Sequence, residues 1–204
     1  MTRFLQCGSI ILLGALLLYS SGKAAASDVG IRVVKDLLDQ LWDYQNGQTE
    51  GKKHVGFDVP EILVNQYIAY LIDSKTRLGV KAATLKITGK NKVDIDCAID
   101  LNQIRRWSPA AIKLDPLLAD KDDLRVLATA TVDITGGMAT VSLLSARDIA
   151  GGISLDTIKT LFRVIARNQP ERFDIDNPIK LPFDLSVSMM DGVFYGKTPR
   201  KAAK

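Results

Sequence analysis

Between residues 92 and 101 the chain alternates. Val93, Ile95, Cys97, Ile99 and Leu101 are apolar, and Asp94, Asp96, Ala98 and Asp100 stand between them. A period of two marks a strand with one dry face and one wet face. The same rhythm runs through residues 80–88 and through 124–135, where Leu124, Val126, Ala128, Ala130, Val132 and Ile134 share a face. It returns over residues 138–145. Gly89-Lys90-Asn91 joins residues 80–88 to a strand over 92–104, and Gly136-Gly137 joins 124–135 to 138–145. Two consecutive hairpins predict an antiparallel meander. A last extended segment, 181–195, turns at Asp191-Gly192 and predicts a C-terminal hairpin.

Three stretches carry the helical period instead. In residues 28–44, Val29, Val33, Leu37, Leu41 and Tyr44 recur at three- and four-residue spacing. Residues 46–53 are polar and loop-like. In the second helix, Asp58 and Glu61 have capping-box spacing, Pro60 sits in the first turn, and Phe57 and Ile62 form a staple pair. Val64, Tyr67, Ile68 and Leu71 make its apolar face, and Gly79 supplies a left-handed cap. Ser154 is the N-cap of the third helix. Leu155, Ile158, Leu161, Phe162 and Ile165 form its stripe, Lys159, Arg163 and Arg167 lie outside it, and Pro170 follows its end. Residues 105–123 read as irregular.

The ends differ from the body. Arg3, a short apolar run over residues 10–18 and the small residues Ala24-Ala25-Ala26 have the form of a secretory leader, with Ser27 as the first mature residue. Residues 27–196 are then expected to form one domain, and residues 197–204 a basic, disordered tail. Of 27 Lys and Arg and 23 Asp and Glu, two basic residues lie in the leader and four in the last eight positions. The body is thus about neutral to slightly acidic, which argues against a nucleic-acid partner. The tail could touch anionic lipid headgroups. Without Cys7 of the leader, Cys97 is the single cysteine, so no internal disulfide forms. Its place on the dry face makes it a small core residue.

Candidate chemistry is sparse. The one histidine, His54, lies in a Gly/Lys loop with no orienting partner in the sequence. No nucleophile elbow, phosphate loop, dinucleotide fingerprint or paired Cys/His metal spacing is present. Asp94, Asp96 and Asp100 share a strand face, and Asp120, Asp122 and Asp123 share a loop, but both sets fit solvation better than calcium. No enzyme activity, cofactor or metal is expected. The inward positions are small at Ala83, Cys97, Ala128, Ala130 and Ala139. Small residues serve either close helix-on-sheet packing or room for a ligand.

Residues 59–71 (VPEILVNQYIAYL), 79–87 (GVKAATLKI), 93–101 (VDIDCAIDL) and 181–195 (LPFDLSVSMMDGVFY), in that order around two hairpins and an amphipathic helix, resemble small bacterial members of the tubular lipid-binding superfamily. That superfamily shares its architecture with bactericidal/permeability-increasing protein. The resemblance covers roughly residues 57–196. It implies an α+β fold in which a curved antiparallel sheet, two hairpins plus the C-terminal hairpin, wraps an amphipathic helix behind N-terminal helices. It also implies an exported, periplasmic protein of a Gram-negative envelope that binds lipids or other long apolar molecules. The groove would lie between sheet and helix, lined by Ile68, Leu71, Leu85, Ile95, Cys97, Ala128, Ala130, Val132, Ile158, Leu161, Phe162 and Ile165. One departure is the third helix, which at about 1.5 Å per residue is short for a long tube. The competing expectation is a closed-core structural protein of the envelope that docks a partner through a strand edge or the tail.

The leader makes a direct prediction. N-terminal sequencing of the exported protein should begin at Ser27, and an uncleaved Met1 start in the membrane fraction would replace the leader with an anchor.

Overall fold

The computed structural model describes residues 29–48, 54–74, 78–170 and 172–199. The expected leader falls within residues 1–28, which with residues 200–204 lie outside the described residues. Helix α1 (Val29–Gln45) is followed by strand β1 (Gly56–Pro60) and helix α2 (Glu61–Asp73). The meander comprises β2 (Val80–Gly89), β3 (Lys92–Asp100), β4 (Asp123–Thr135) and β5 (Met138–Asp148). Two short helices, α3 (Leu101–Trp107) and α4 (Pro109–Ile112), fill the crossover from β3 to β4. Helix α5 (Leu155–Arg167) leads to β6 (Ile179–Lys180), β7 (Ser186–Met190) and β8 (Val193–Lys197). The strands form one open, curved antiparallel sheet of eight. No helix among the described residues is long and apolar enough to cross a membrane.

The alternation in the sequence sets the sheet's faces. Along β4 the even positions from Leu124 to Ile134 are all buried, and in β3 Val93, Ile95, Cys97 and Ile99 are buried with them. β3 pairs β4 from Lys92↔Thr131 to Asp100↔Asp123, and β4 pairs β5 from Val126↔Asp148 to Thr135↔Met138. In β5 the register skips Leu144, between the pairs Thr129↔Ser145 and Ala130↔Leu143. An extra residue of this kind bends its strand and adds to the curvature.

One turn residue joins the meander to the C-terminal hairpin. Asn91, at φ 54°, closes the β2–β3 hairpin. Its N–H donates to the Met189 carbonyl at 2.9 Å, and its carbonyl accepts from Val132 N at 2.9 Å. Its side-chain oxygen accepts from Met189 N, and its amide donates to Asp133, both at 2.9 Å. β7 takes over the edge of β4 just past the end of β3, at Ile134↔Val187. Asn91 thus closes the backbone hydrogen bonds where one neighbour of β4 replaces another.

The sheet's β2 edge is covered by side chains. Asn65 of α2 donates to the Leu85 carbonyl and accepts from Leu85 N, both at 2.8 Å, so its amide imitates one residue of a neighbouring strand. Glu61 Oε2 accepts from Ile87 N at 2.7 Å. Covering an edge in this way removes a template for strand pairing.

Several expectations are corrected. The Asp58–Glu61 capping box does not form, because Asp58 belongs to β1, paired with Tyr195, and Glu61 is committed to the β2 edge. Pro60 is the N-cap, with no side-chain bond, and Ile62 is exposed instead of stapled. Gly79 does not cap α2, which ends at Asp73. It enters β2 at φ 79°, and a Cβ there would stand 2.8 Å from the Trp107 ring. The third strand stops at Asp100, not 104, because the Asp100 carboxylate accepts from Gln103 N at 3.0 Å and starts α3. The buried face of α1 is Ile31, Val34, Leu37, Leu38, Leu41 and Tyr44, which leaves Val29 and Val33 outside. The basic end stays ordered past 197. Lys197 lies in β8, the buried Thr198 exchanges bonds with Val55, and the Pro199 carbonyl accepts from Tyr44 Oη. The Ser154 cap does form, its Oγ accepting from Thr157 N at 3.1 Å.

Asn91→Gly keeps the left-handed turn and loses both side-chain bonds, whereas Asn91→Ala loses the bonds and adds backbone strain. Denaturant unfolding should show Gly destabilised by about 1–3 kcal/mol and Ala by about 1 kcal/mol more. Equal, near-zero effects would remove Asn91 from this role.

Candidate functional site

Helix α5 lies on the dry face of the meander. Ile158, Leu161 and Ile165 are fully buried beneath it. Its C-terminal end is fixed by the buried Gln169. The Gln169 amide donates to the Leu78 and Ile165 carbonyls at 2.8 and 3.0 Å, and its oxygen accepts from Leu78 N at 3.2 Å. All the hydrogen-bonding groups of Leu78's backbone are thereby used to anchor the helix beside the start of β2.

The helix does not cover the whole face. Under β4 every inward side chain is buried, but on β5 Val141, Leu143 and Ala146 remain half-buried. Beside α5 this leaves a cleft of about 390 Å³. Ile95, Cys97 and Ala130 form its floor, Val141 and Leu143 one wall, and Phe162 the other. The segment after α5 lies over it with Phe173, Ile175 and Ile179. Its volume falls at the lower end of the range for small-molecule sites. Polar groups stand at the rim: Thr140, Ser142, Lys159, Arg163 and Asp176.

Arg163 and Asp176 latch that segment to the helix. Nε and Nη2 donate to the two carboxylate oxygens at 2.7 and 3.0 Å. This bond holds the Asp176 carboxyl below the usual carboxylate range, helped by the positive charges of Arg163, Arg167 and Lys159. The latch therefore persists at neutral pH and is lost only as the pH falls through that lowered value. Both groups are well exposed, so it is a weak, salt-sensitive restraint.

Of the sequence-derived groove residues, the structure brings Ile95, Cys97, Ala130 and Phe162 together in the cleft. Ile158, Leu161 and Ile165 are consumed in seating the helix. Val132 lies in the core. Ile68 and Leu71 belong to α2, which packs at the β2 edge. Leu85 and Ala128 adjoin a second hollow, which opens on the wet face among Thr84, Lys86, Asp94, Asp96 and Arg147. The β5 wall and the covering segment were missed. In the latter, Phe173 and Ile175 alternate with Arg172, Asp174 and Asp176, a short period-two signal in a stretch without other strand marks.

The acidic residues are occupied locally. Asp94 accepts from Thr129 Oγ1 at 2.8 Å, Asp96 takes a two-point bond from Arg125 at 2.9 and 2.7 Å, and Asp122 accepts from Asn102 at 3.0 Å. Among the described residues no three His, Cys, Asp or Glu side chains converge to hold a metal ion.

Comparison with known proteins adds one structural likeness. No protein-family model and no curated protein matches the chain. Among solved structures, a lipopolysaccharide binding protein aligns with 74% of this chain at 9% identity and a TM-score of 0.18. The alignment spans 41% of that chain's length. A likeness at that score carries no argument about this protein.

Cys97 reports on the floor of the cleft. Burial, with a smaller contribution from Asp96, pushes its thiol up to about 12. At pH 8 about one thiol in ten thousand is then ionised, so alkylation of the chain beginning at Ser27 should be very slow when folded and fast in denaturant. Rapid native alkylation at pH 8 would contradict this burial.

Proposed function

We propose that this protein binds lipids or other long apolar molecules in the cleft between α5 and β5. The observation that carries the proposal is the half-buried apolar wall of Val141 and Leu143 beside a cleft of about 390 Å³ that α5 does not cover. Each methylene moved from water into the cleft contributes about 0.8 kcal/mol, so roughly ten are needed for micromolar affinity, before the cost of immobilising the chain. The site works by burial and shape, and we infer binding without catalysis: the Cys97 thiol on the cleft floor is held protonated. We further propose export to the periplasm, with transport or maintenance of envelope lipids as the setting. That part rests on the leader formed by Arg3, the apolar run and Ala24-Ala25-Ala26.

The test is occupancy of the cleft. Native mass spectrometry of gently purified protein should show co-purified apolar ligand, and a fluorescent fatty-acid probe should bind the stripped protein. Ala130→Leu projects a larger side chain from the floor. A cleft that is open beside it would accept the leucine, so probe binding should weaken at least several-fold while the melting temperature of ligand-free protein stays about unchanged. Overpacking a filled core would instead cost about 1–3 kcal/mol. No probe binding by wild type, together with clear destabilisation by leucine, would establish a closed core.

A further inference from the structure

Resting on that reading of the cleft, we propose that its ligand is a single-chain amphiphile with an anionic headgroup, selected by Lys159. The volume of about 390 Å³ suits one chain, not the paired chains of a diacyl lipid. The charges are unevenly placed. Floor and walls are apolar apart from the protonated Cys97, and the ionisable rim groups are Lys159, Arg163 and Asp176.

Two of those three neutralise each other. Arg163 is held by both oxygens of Asp176. Asp174 is also near, but its carboxylate accepts from Asn177 Nδ2 at 2.8 Å and from Asp176 N at 3.1 Å. Asp156 acts on Arg163 and Arg167 on Asp176 only through charge. Lys159 sits one turn from Arg163 on the same helix face and is half-buried. It is near enough to lower the Asp176 pKa, yet among the described residues no carboxylate forms an ion pair with it. An ammonium without an ion-pair partner at the mouth of an apolar cleft is a selective element. It gives a charge-assisted bond to a carboxylate or phosphate, offers less to a hydroxyl, and repels a cation.

The probes are dodecanoate, dodecyl phosphate, dodecanol and dodecyltrimethylammonium, each competing with the fluorescent fatty-acid probe below its micellar concentration. Wild type should bind the two anions roughly tenfold more tightly than the alcohol and the cation more weakly still, and the preference should shrink as salt rises. Lys159→Gln should reduce the anion-to-alcohol ratio several-fold, Lys159→Glu should invert it, and Lys159→Arg should keep it. Lys113→Gln, an equal change of charge at an exposed site away from the cleft, should not move the ratio. Equal binding of all four amphiphiles by wild type, a ratio indifferent to salt, or a ratio unmoved in Lys159→Gln would overturn the headgroup assignment and leave the cleft intact. Failure of wild type to bind any of them would overturn the cleft as well.

Discussion

A sheet with one dry face has to be covered, and here the cover is a helix too narrow for the face beneath it. The meander offers a continuous apolar surface from β2 to β5. Helix α5 places Ile158, Leu161 and Ile165 on it and buries them completely. What remains is a strip along β5, roofed by the segment after the helix. The cleft is thus a consequence of how much face there is and how much helix. Neither element is unusual by itself.

The parts around this contact hold it in place. Gln169 anchors one end of α5 to the chain entering β2, and the Ser154 cap fixes the other. Gly79 leaves room for Trp107 and Ile165 at that same corner, where a side chain would collide with both. Arg105 ties the crossover together by donating to the Ala119 and Lys121 carbonyls at 3.0 and 3.1 Å. At the opposite end of the sheet, Gly137 (φ 73°) passes within contact distance of the Phe183 carbonyl and bonds Leu181 and Leu185. These fixed points leave the Arg163–Asp176 latch as the weakly held part of the roof.

The sequence made the strands of the meander legible because burial on one face imposes a strict period of two. It made α5 legible because an amphipathic helix with a serine cap has few other interpretations. Element ends were harder. Asp100 looks like one more wet-face aspartate, and only the fold shows it starting a helix. Asp58 and Glu61 satisfy a capping pattern, yet a competing bond to Ile87 takes the glutamate. The bonds of Asn91, Asn65 and Gln169 join residues far apart in the chain, so no local pattern announces them. At the site, a list of apolar positions separates inside from outside but not filled from unfilled. Ala128 and Ala130 look alike in sequence, and only the second borders the cleft. That distinction depends on where a helix of limited width ends.

The most direct measurement of the central claim is where an apolar chain lies. A fatty acid with a photoreactive diazirine midway along its chain can be bound, irradiated and mapped by peptide mass spectrometry. The account predicts crosslinks on Val141, Leu143, Phe162 and Phe173, which face the cleft from three separate segments. Crosslinks confined to the wet face around Leu127 and Thr129, or scattered over the surface without competition from unlabelled fatty acid, would contradict it.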